Sequence, residues 1–187
     1  MAQLTKNALI EAFVRLLEDR PLDQITVRDV VTECGVSRNT FYYHFGDIYA
    51  LLEALLRQKM GQLLEERREG ESGEEGLKRL FGYVARHQRI ASHIYSSINP
   101  AVLEHYLFQT TRELFMAYIR DAARGLDVAE DELGFGCYAY QSMFVGMLME
   151  WTRQGMRSDP NQLLEKAQRL FLRHTRRMLE EGSREKA

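Results

Sequence analysis

The sequence predicts an all-α protein with about nine helices, and three observations lead to this class. Apolar residues recur every three or four positions through most of the 187 residues, as on one face of an α-helix. No segment keeps the strict alternation of apolar and polar residues that marks a half-buried strand. All three prolines, Pro21, Pro100 and Pro160, fall between apolar stripes, where they separate one helix from the next.

The first two helices are defined by clear start and stop signals. The apolar stripe of helix 1 begins at Leu4, and Pro21 ends the helix. Helix 2 opens at Thr26, because Asp29 stands three residues further on, as in a capping box. Gly35 breaks helix 2, since glycine accepts the positive φ of a tight turn.

Helices 3 and 4 follow directly. Ser37 caps helix 3, which extends to about Tyr43. Asp47 caps helix 4, whose apolar stripe ends at Leu64. The charged, glycine-bearing segment 65–75 then predicts a solvated loop.

The remaining helices lie between Gly and Pro signals. Two helices are expected at about residues 77–84 and 90–95. Helix 7 spans about residues 100–124, helix 8 about residues 130–154 and helix 9 about residues 160–181. A glycine follows the predicted end of each of these three helices.

The composition fits a folded chain without a membrane span. Hydrophobic residues make up 45% and charged residues 28%, which supports a core and argues against disorder. No window approaches 18 consecutive apolar residues, and residues 1–20 lack a signal-peptide pattern, so we expect a cytoplasmic protein without membrane contact. Cys34 and Cys137 match no metal-site spacing, and we expect both to be reduced.

Residues 26–45, TVRDVVTECGVSRNTFYYHF, have the pattern of a helix-turn-helix. We expect one set of side chains to pack inward, namely Val30, Val31, Cys34, Phe41 and Phe45. An outward face then remains, formed by Arg38, Asn39, Thr40, Tyr42, Tyr43 and His44. This face suits the major groove of DNA, because Arg can bond guanine, Asn can bond adenine and Tyr can donate to phosphate.

The stretch resembles the TetR family of bacterial regulators over about residues 4–60. The resemblance is carried by helix 1 and by the strings ITVR, CGVS and TFYYHF at residues 25–28, 34–37 and 40–45. It implies an all-helical homodimer that binds an operator through helix 3. It also implies that Thr26 and Arg28 at the start of helix 2 contact DNA. The implied contacts from helix 3 are Ser37, Arg38, Asn39, Thr40, Tyr42, Tyr43 and His44.

Two departures from the family pattern stand out. Many members carry a phosphate-gripping Lys near the start of helix 4, whereas residues 46–49 here read GDIY. Val31 stands where a smaller Ala is common. The second half resembles the subgroup that includes dihydroxyacetone kinase regulators through Phe144, Gly146, Trp151, Gly155-Met156 and Asp159-Pro160.

The predicted organisation has three parts. Residues 1–47 form the DNA-binding head, residues 48–68 form a connecting helix, and residues 74–182 form a regulatory and dimerisation domain. The head contains five basic and seven acidic residues, a net charge of −2. Non-specific DNA binding depends on neutralising phosphates, so we expect it to be weak and the salt dependence to be shallow.

Two further sites are expected in the second half. A ligand pocket is expected among aromatic, His and Met side chains, namely Tyr83, His87, Tyr95, Tyr106, Met143, Met147 and Trp151. A homodimer interface of helices 8 and 9 is expected from small and apolar residues, namely Gly136, Tyr140, Phe144, Leu163, Ala167, Leu170 and Phe171. The alternative for both sets is ordinary packing within one chain.

The sequence therefore predicts a transcriptional repressor that a small-molecule effector releases from a palindromic operator. The alternative is an activator or co-regulator whose C-terminal domain binds a protein partner. No nucleophile elbow, His-Glu-x-x-His motif or phosphate-binding Gly-rich loop occurs, so we expect neither an enzyme nor a bound cofactor. The histidines show no metal-ligand spacing, and no metal site is expected.

Overall fold

The computed structural model describes residues 2–66, 73–170 and 174–184. Within these ranges the chain is all-α, and no strand is found. Ten α-helices follow in order: α1 Ala2–Asp19, α2 Val27–Cys34, α3 Arg38–His44, α4 Ile48–Glu65, α5 Gly73–Arg86, α6 Gln88–Tyr95, α7 Pro100–Ala122, α8 Glu130–Arg153, α9 Pro160–Leu170 and α10 Thr175–Arg184. A short 3₁₀ turn, Leu22–Gln24, joins α1 to α2. No described helix is long and apolar enough to cross a bilayer.

The chain forms two compact units, and the first combines residues up to Lys59 with His87–Tyr106. Phe13 of α1 and Phe41 of α3 are fully buried in its core. Helix α6 belongs here because His93 Nδ1 lies 2.8 Å from the backbone carbonyl oxygen of Leu17, the last buried residue of α1.

The second unit contains Met60–Arg86 and the chain from Leu107 onward. Its core is aromatic: the Phe144 ring lies 5.0 Å from that of Phe81 and 5.3 Å from that of Phe115, centroid to centroid. One buried polar side chain of this core is held by two hydrogen bonds. The amide of the buried Gln141 donates to the carbonyl of Phe108 and to the hydroxyl of Thr111.

Two element boundaries differ from the sequence-based expectation. Predicted helix 9 corresponds to two helices, α9 and α10, and α10 continues through Gly182 to Arg184. A glycine in a helix costs only about 1 kcal/mol, so its presence did not end this one. Helix α5 begins at Gly73, inside the predicted loop, and the exposed Glu75 in its first turn favours an early start through the helix dipole.

The boundaries of the two compact units differ from the boundaries of the three parts that the sequence predicts. Residues 87–106, which we assigned to the regulatory domain, cluster with the head. The hydroxyl of Ser97 donates to Asp23 at 3.2 Å, and His87 lies 3.9 Å from Glu18. Such side-chain contacts between distant segments leave no periodic signal in the sequence.

Candidate nucleic-acid interface

The N-terminus of α2 is fixed by a complete capping box. The Thr26 hydroxyl accepts from the backbone N–H of Asp29 at 3.3 Å, and the Asp29 carboxylate accepts from the Thr26 backbone N–H at 2.9 Å. The Thr26 hydroxyl also donates to this carboxylate at 2.6 Å. Because the hydroxyl proton is used inside the cap, a DNA phosphate would have to compete with Asp29 for it.

The turn between α2 and α3 depends on one glycine. Gly35 has φ 73° and ψ 28°, which is left-handed, and its N–H donates to the carbonyls that end α2. The N–H of Val36 then bonds the Val31 carbonyl at 3.0 Å. These bonds complete the helix end and turn the chain sharply toward α3.

Helix α3 begins at a second side-chain cap. The Ser37 hydroxyl accepts from the backbone N–H of Thr40 at 3.1 Å, and the two hydroxyls lie 2.9 Å apart. One hydroxyl proton of this pair is used between them, so the pair keeps one proton with which to contact DNA.

The faces of α3 differ sharply in burial. Phe41 is fully buried, and Phe45 just beyond the helix is almost so. Tyr42 is 57% exposed and Tyr43 is 79% exposed. Arg38 and Asn39 in the first turn are exposed as well. The buried phenylalanines lie on the inner side of this helix, which packs against α2, and polar and aromatic side chains face solvent.

The His44 side chain lies at the edge of this face. It is half-buried, and its ring packs edge-on against Tyr43 with 5.0 Å between centroids. In α2, Arg28 is exposed. The structure thus brings the predicted residues of α3 onto one short helix, with Thr26 and Arg28 at the start of the preceding one.

Two cations of the head are paired with carboxylates of α2. Arg15 pairs with Glu33 at 2.7 Å, and Arg20 lies 3.4 Å from Asp29. Two hydrogen bonds from Thr26, by its side chain and its backbone, together with the charge of Arg20, hold the pKa of Asp29 below its ordinary value of 3.8. Within the described chain, no carboxylate pairs with Arg28 or with Arg38.

The acid at the start of α4 is also engaged. The Asp47 carboxylate accepts from the backbone N–H of Ala50 at 2.8 Å, as an N-cap does. This position follows α3 closely, and its negative charge is offset by the helix dipole. Sequence reasoning placed this cap correctly but gave no sign of the Arg15–Glu33 and Arg20–Asp29 pairs.

The predicted pocket residues fall in different compact units. His87, Tyr95 and Tyr106 belong to the first unit, and the other four belong to the second, namely Tyr83, Met143, Met147 and Trp151. Trp151 is buried and its indole N–H donates to the carbonyl of Ser158 at 3.0 Å.

A cavity of about 10 Å³ lies in the second unit, roughly the room that one water molecule needs. Its lining consists of other residues than the predicted ones: Leu63, Leu64, Gly76, Arg79, Leu114, Ala117 and Tyr118. Among the described residues, no three His, Cys, Asp or Glu side chains gather as a metal site would require.

The predicted interface residues vary in exposure. Tyr140 and Phe144 are buried within their own chain, and the buried Thr175 hydroxyl lies 2.7 Å from that of Tyr140. Ala167 is also buried, Gly136 and Leu163 are half-buried, and Phe171 and the Leu170 side chain lie outside the described residues. Two aromatic residues of α8 outside the predicted interface set are exposed, namely Phe135 at 67% and Tyr138 at 58%.

Comparison with known protein families gives two matches that together span most of the chain. Residues 9–55 match the family described as bacterial regulatory proteins, tetR family. Residues 71–173, more than half of the chain, match a family described as transcriptional regulator C-terminal region.

Curated relatives are similar in the head. HTH-type transcriptional regulator EthR of Mycobacterium tuberculosis is 42% identical over 55 residues, and tetracycline repressor protein class D of Escherichia coli is 34% identical over 55 residues. Each match covers 29% of this chain. The chain spans only about a quarter of the length of these relatives, 26% and 25%.

Solved structures are similar in fold over nearly the whole chain. The dihydroxyacetone kinase operon activator DhaS has a TM-score of 0.73 at 21% identity, covering 94% of this chain and 98% of that one. The repressor AlkX from Dietzia sp. strain DQ12-45-1b has a TM-score of 0.61 at 19% identity, covering 92% and 95%. With the two family matches and the capped helix-turn-helix, these similarities show that the protein belongs to the TetR family of bacterial transcriptional regulators.

Proposed function

We propose that this protein binds a palindromic DNA operator as a homodimer, with α3 in the major groove, and represses transcription. The observation that carries the proposal is the outward face of α3. Arg38, Asn39, Tyr42 and Tyr43 are exposed there, and the fully buried Phe41 fixes the orientation of the helix. Helix-turn-helix proteins read base edges with the N-terminal part of the second helix, which here begins with Arg38 and Asn39.

Contacts to the DNA backbone would come from the start of α2 and from the cap of α3. Arg28 lies in the first turn of α2 and is exposed. The Ser37–Thr40 hydroxyl pair keeps one proton for a phosphate or a base. Thr26 acts mainly through the cap that orients α2, because its hydroxyl proton is held by Asp29.

The first experiment is selection of bound fragments from a pool of DNA from the source genome, followed by footprinting. A palindromic protected site is expected, because a two-fold dimer presents two copies of α3 to two half-sites. Failure of the purified protein to enrich any site at low salt would contradict DNA reading by this face.

A homodimer is supported by the exposed face of α8. Phe135 and Tyr138 are largely exposed in the single chain and lie three residues apart on the same side of the helix. The exposed Ala139 and Gly146 continue this side with small residues. Large apolar groups with small neighbours are typical of surfaces at which two helices approach closely.

The dimer is tested by the mass of the protein in solution. The double variant Phe135→Ser, Tyr138→Ser should shift the light-scattering mass from two chains to one at micromolar concentration. The control is Arg120→Ser, Arg124→Ser, which changes two exposed residues near the end of α7 or just beyond it. If the double α8 variant keeps the mass of two chains, the dimer interface is not formed by Phe135 and Tyr138.

The direction of control and the effector are further parts of the proposal. Similar proteins include one named as a repressor and one named as an activator. A reporter gene behind the recovered operator should be expressed more strongly when the regulator is deleted. A small molecule that binds the second unit should then lower operator affinity at saturation. Unchanged affinity at saturation would contradict release by that molecule.

A further inference from the structure

The positive charges of the head fall into two groups. Residues 1–47 contain five basic side chains, of which Arg15 and Arg20 lie against carboxylates of α2. Those two cations are largely neutralised by their partners. The other three are Lys6, Arg28 and Arg38, and none of them forms an ion pair in the described part of the chain.

Lys6 is held at a defined place relative to α3. Its Nζ lies 5.9 Å from the centroid of the Phe45 ring, within the range of a cation–π contact. Phe45 is the C-cap residue of α3, and its backbone N–H donates to the Phe41 carbonyl. The three unpaired cations therefore stand at the start of α2, at the start of α3 and at the end of α3.

We propose that Lys6, held over Phe45, is a phosphate-binding residue that grips the DNA backbone at the C-terminal end of α3. This inference rests on the proposed function. A lysine has three donors and a compact charge, which suits a phosphate oxygen. The nearby stretch 46–49 contains an acid and no basic residue, so at this end of α3 the positive charge comes from α1.

A structural role for Lys6 is the competing explanation. A cation near the last turn of a helix favours the free carbonyls there, and the contact with Phe45 ties α1 to α3. Such a role would stabilise the folded head without adding a contact to DNA. The two roles differ in their dependence on salt, since only a phosphate contact releases a counterion from DNA.

The test measures the affinity for the recovered operator duplex across a series of potassium chloride concentrations. Each phosphate contact contributes about 0.9 to the slope of log affinity against log salt. Lys6→Met keeps the length and the apolar contact but removes the charge. Its slope should be shallower by about that amount, so the ratio of wild-type to variant affinity should shrink about eightfold for each tenfold rise in salt.

Three comparisons make the result decisive. Lys6→Arg should keep the wild-type slope, because it keeps the charge and the stacking on Phe45. Lys166→Met removes the same charge from an exposed lysine of α9 in the second unit, and this variant should also keep the wild-type slope. A non-specific duplex should show the same loss of slope with Lys6→Met, because phosphate contacts do not depend on sequence.

The outcomes separate this inference from the proposed function. If wild-type protein binds its operator and Lys6→Met keeps the full slope, the phosphate contact is wrong and DNA binding stands. A lower melting temperature with equally weakened affinity at every salt concentration would assign Lys6 to the structural role. If wild-type protein binds no DNA, the proposed function fails and this inference fails with it.

Discussion

Helices α3 and α8 both expose aromatic side chains, but the residues beside them differ. On α3, Tyr42 and Tyr43 stand with Arg38 and Asn39, so the face offers hydrogen-bond donors and positive charge. On α8, Phe135 stands with alanine and glycine, so the face offers apolar area and close approach. Exposure of an aromatic ring alone does not identify its partner. The neighbouring residues favour a nucleic acid at the first face and a protein at the second.

The largest expected effect comes from the residue that supports the α3 face. Phe41→Ala should lower the free energy of unfolding by about 3–5 kcal/mol, because it leaves a cavity where a fully buried ring stood. Tyr43→Ala on the outer face should change stability by only about 0.5 kcal/mol. Urea denaturation of both variants measures the difference. Equal losses would mean that Tyr43 also packs as a core residue.

The next effect separates the two faces by function. Arg38→Ala should weaken operator binding by about 1–3 kcal/mol, the value of one base-reading contact, and leave the mass in solution unchanged. Arg15→Ala is the matched control, because its guanidinium is paired with Glu33. Fluorescence anisotropy with labelled operator measures both. A loss for Arg15→Ala as large as that for Arg38→Ala would contradict the division of the head cations into paired and DNA-facing groups.

A smaller effect is expected at the turn that sets the angle of α3. Gly35→Ala should lower the free energy of unfolding by about 1–2 kcal/mol, since alanine at φ 73° places its Cβ too near a carbonyl oxygen. Apart from Gly35 itself and its two chain neighbours, no atom lies within 4 Å of the added Cβ, so the cost comes from the local backbone conformation and not from crowding against packed side chains. Gly46→Ala, where φ is not positive, is the control. Equal stability of the two variants would contradict this explanation.

Local signals in the sequence were sufficient to predict the helix-turn-helix. The caps at Thr26, Ser37 and Asp47 and the turn at Gly35 depend on residues three or four positions apart, and each is present in the structure. Contacts over longer distances could not be predicted in this way. The pair Arg15–Glu33 spans 18 residues, and the link of His93 to the carbonyl of Leu17 spans 76.

The same reasoning explains the uneven result in the second half. Periodicity identified apolar positions on α8 but not which of them face the interior, because its apolar residues lie around much of the helix. Phe144 packs inside between two rings, whereas Phe135 is largely exposed. The predicted pocket required contacts between distant segments, and its residues fall in two compact units.

The smallest expected effect concerns pH and the cap of α2. The pKa of Asp29 is lowered in the folded state, so its contribution to stability is present above its ordinary pKa of 3.8 and is lost as the pH falls through the lower folded value. Asp29→Asn removes this contribution, and its urea midpoint should depend less on pH below about 4 than that of the wild type.

Glu33→Gln is the control for the pH experiment, since it removes another paired carboxylate of α2 outside the cap. Any change that it causes reports an exposed ion pair, which is worth only about 0–1 kcal/mol. A pH dependence of Asp29→Asn identical to that of the wild type would mean that the cap does not titrate. The α2 terminus would then be stabilised by the Thr26 hydroxyl alone.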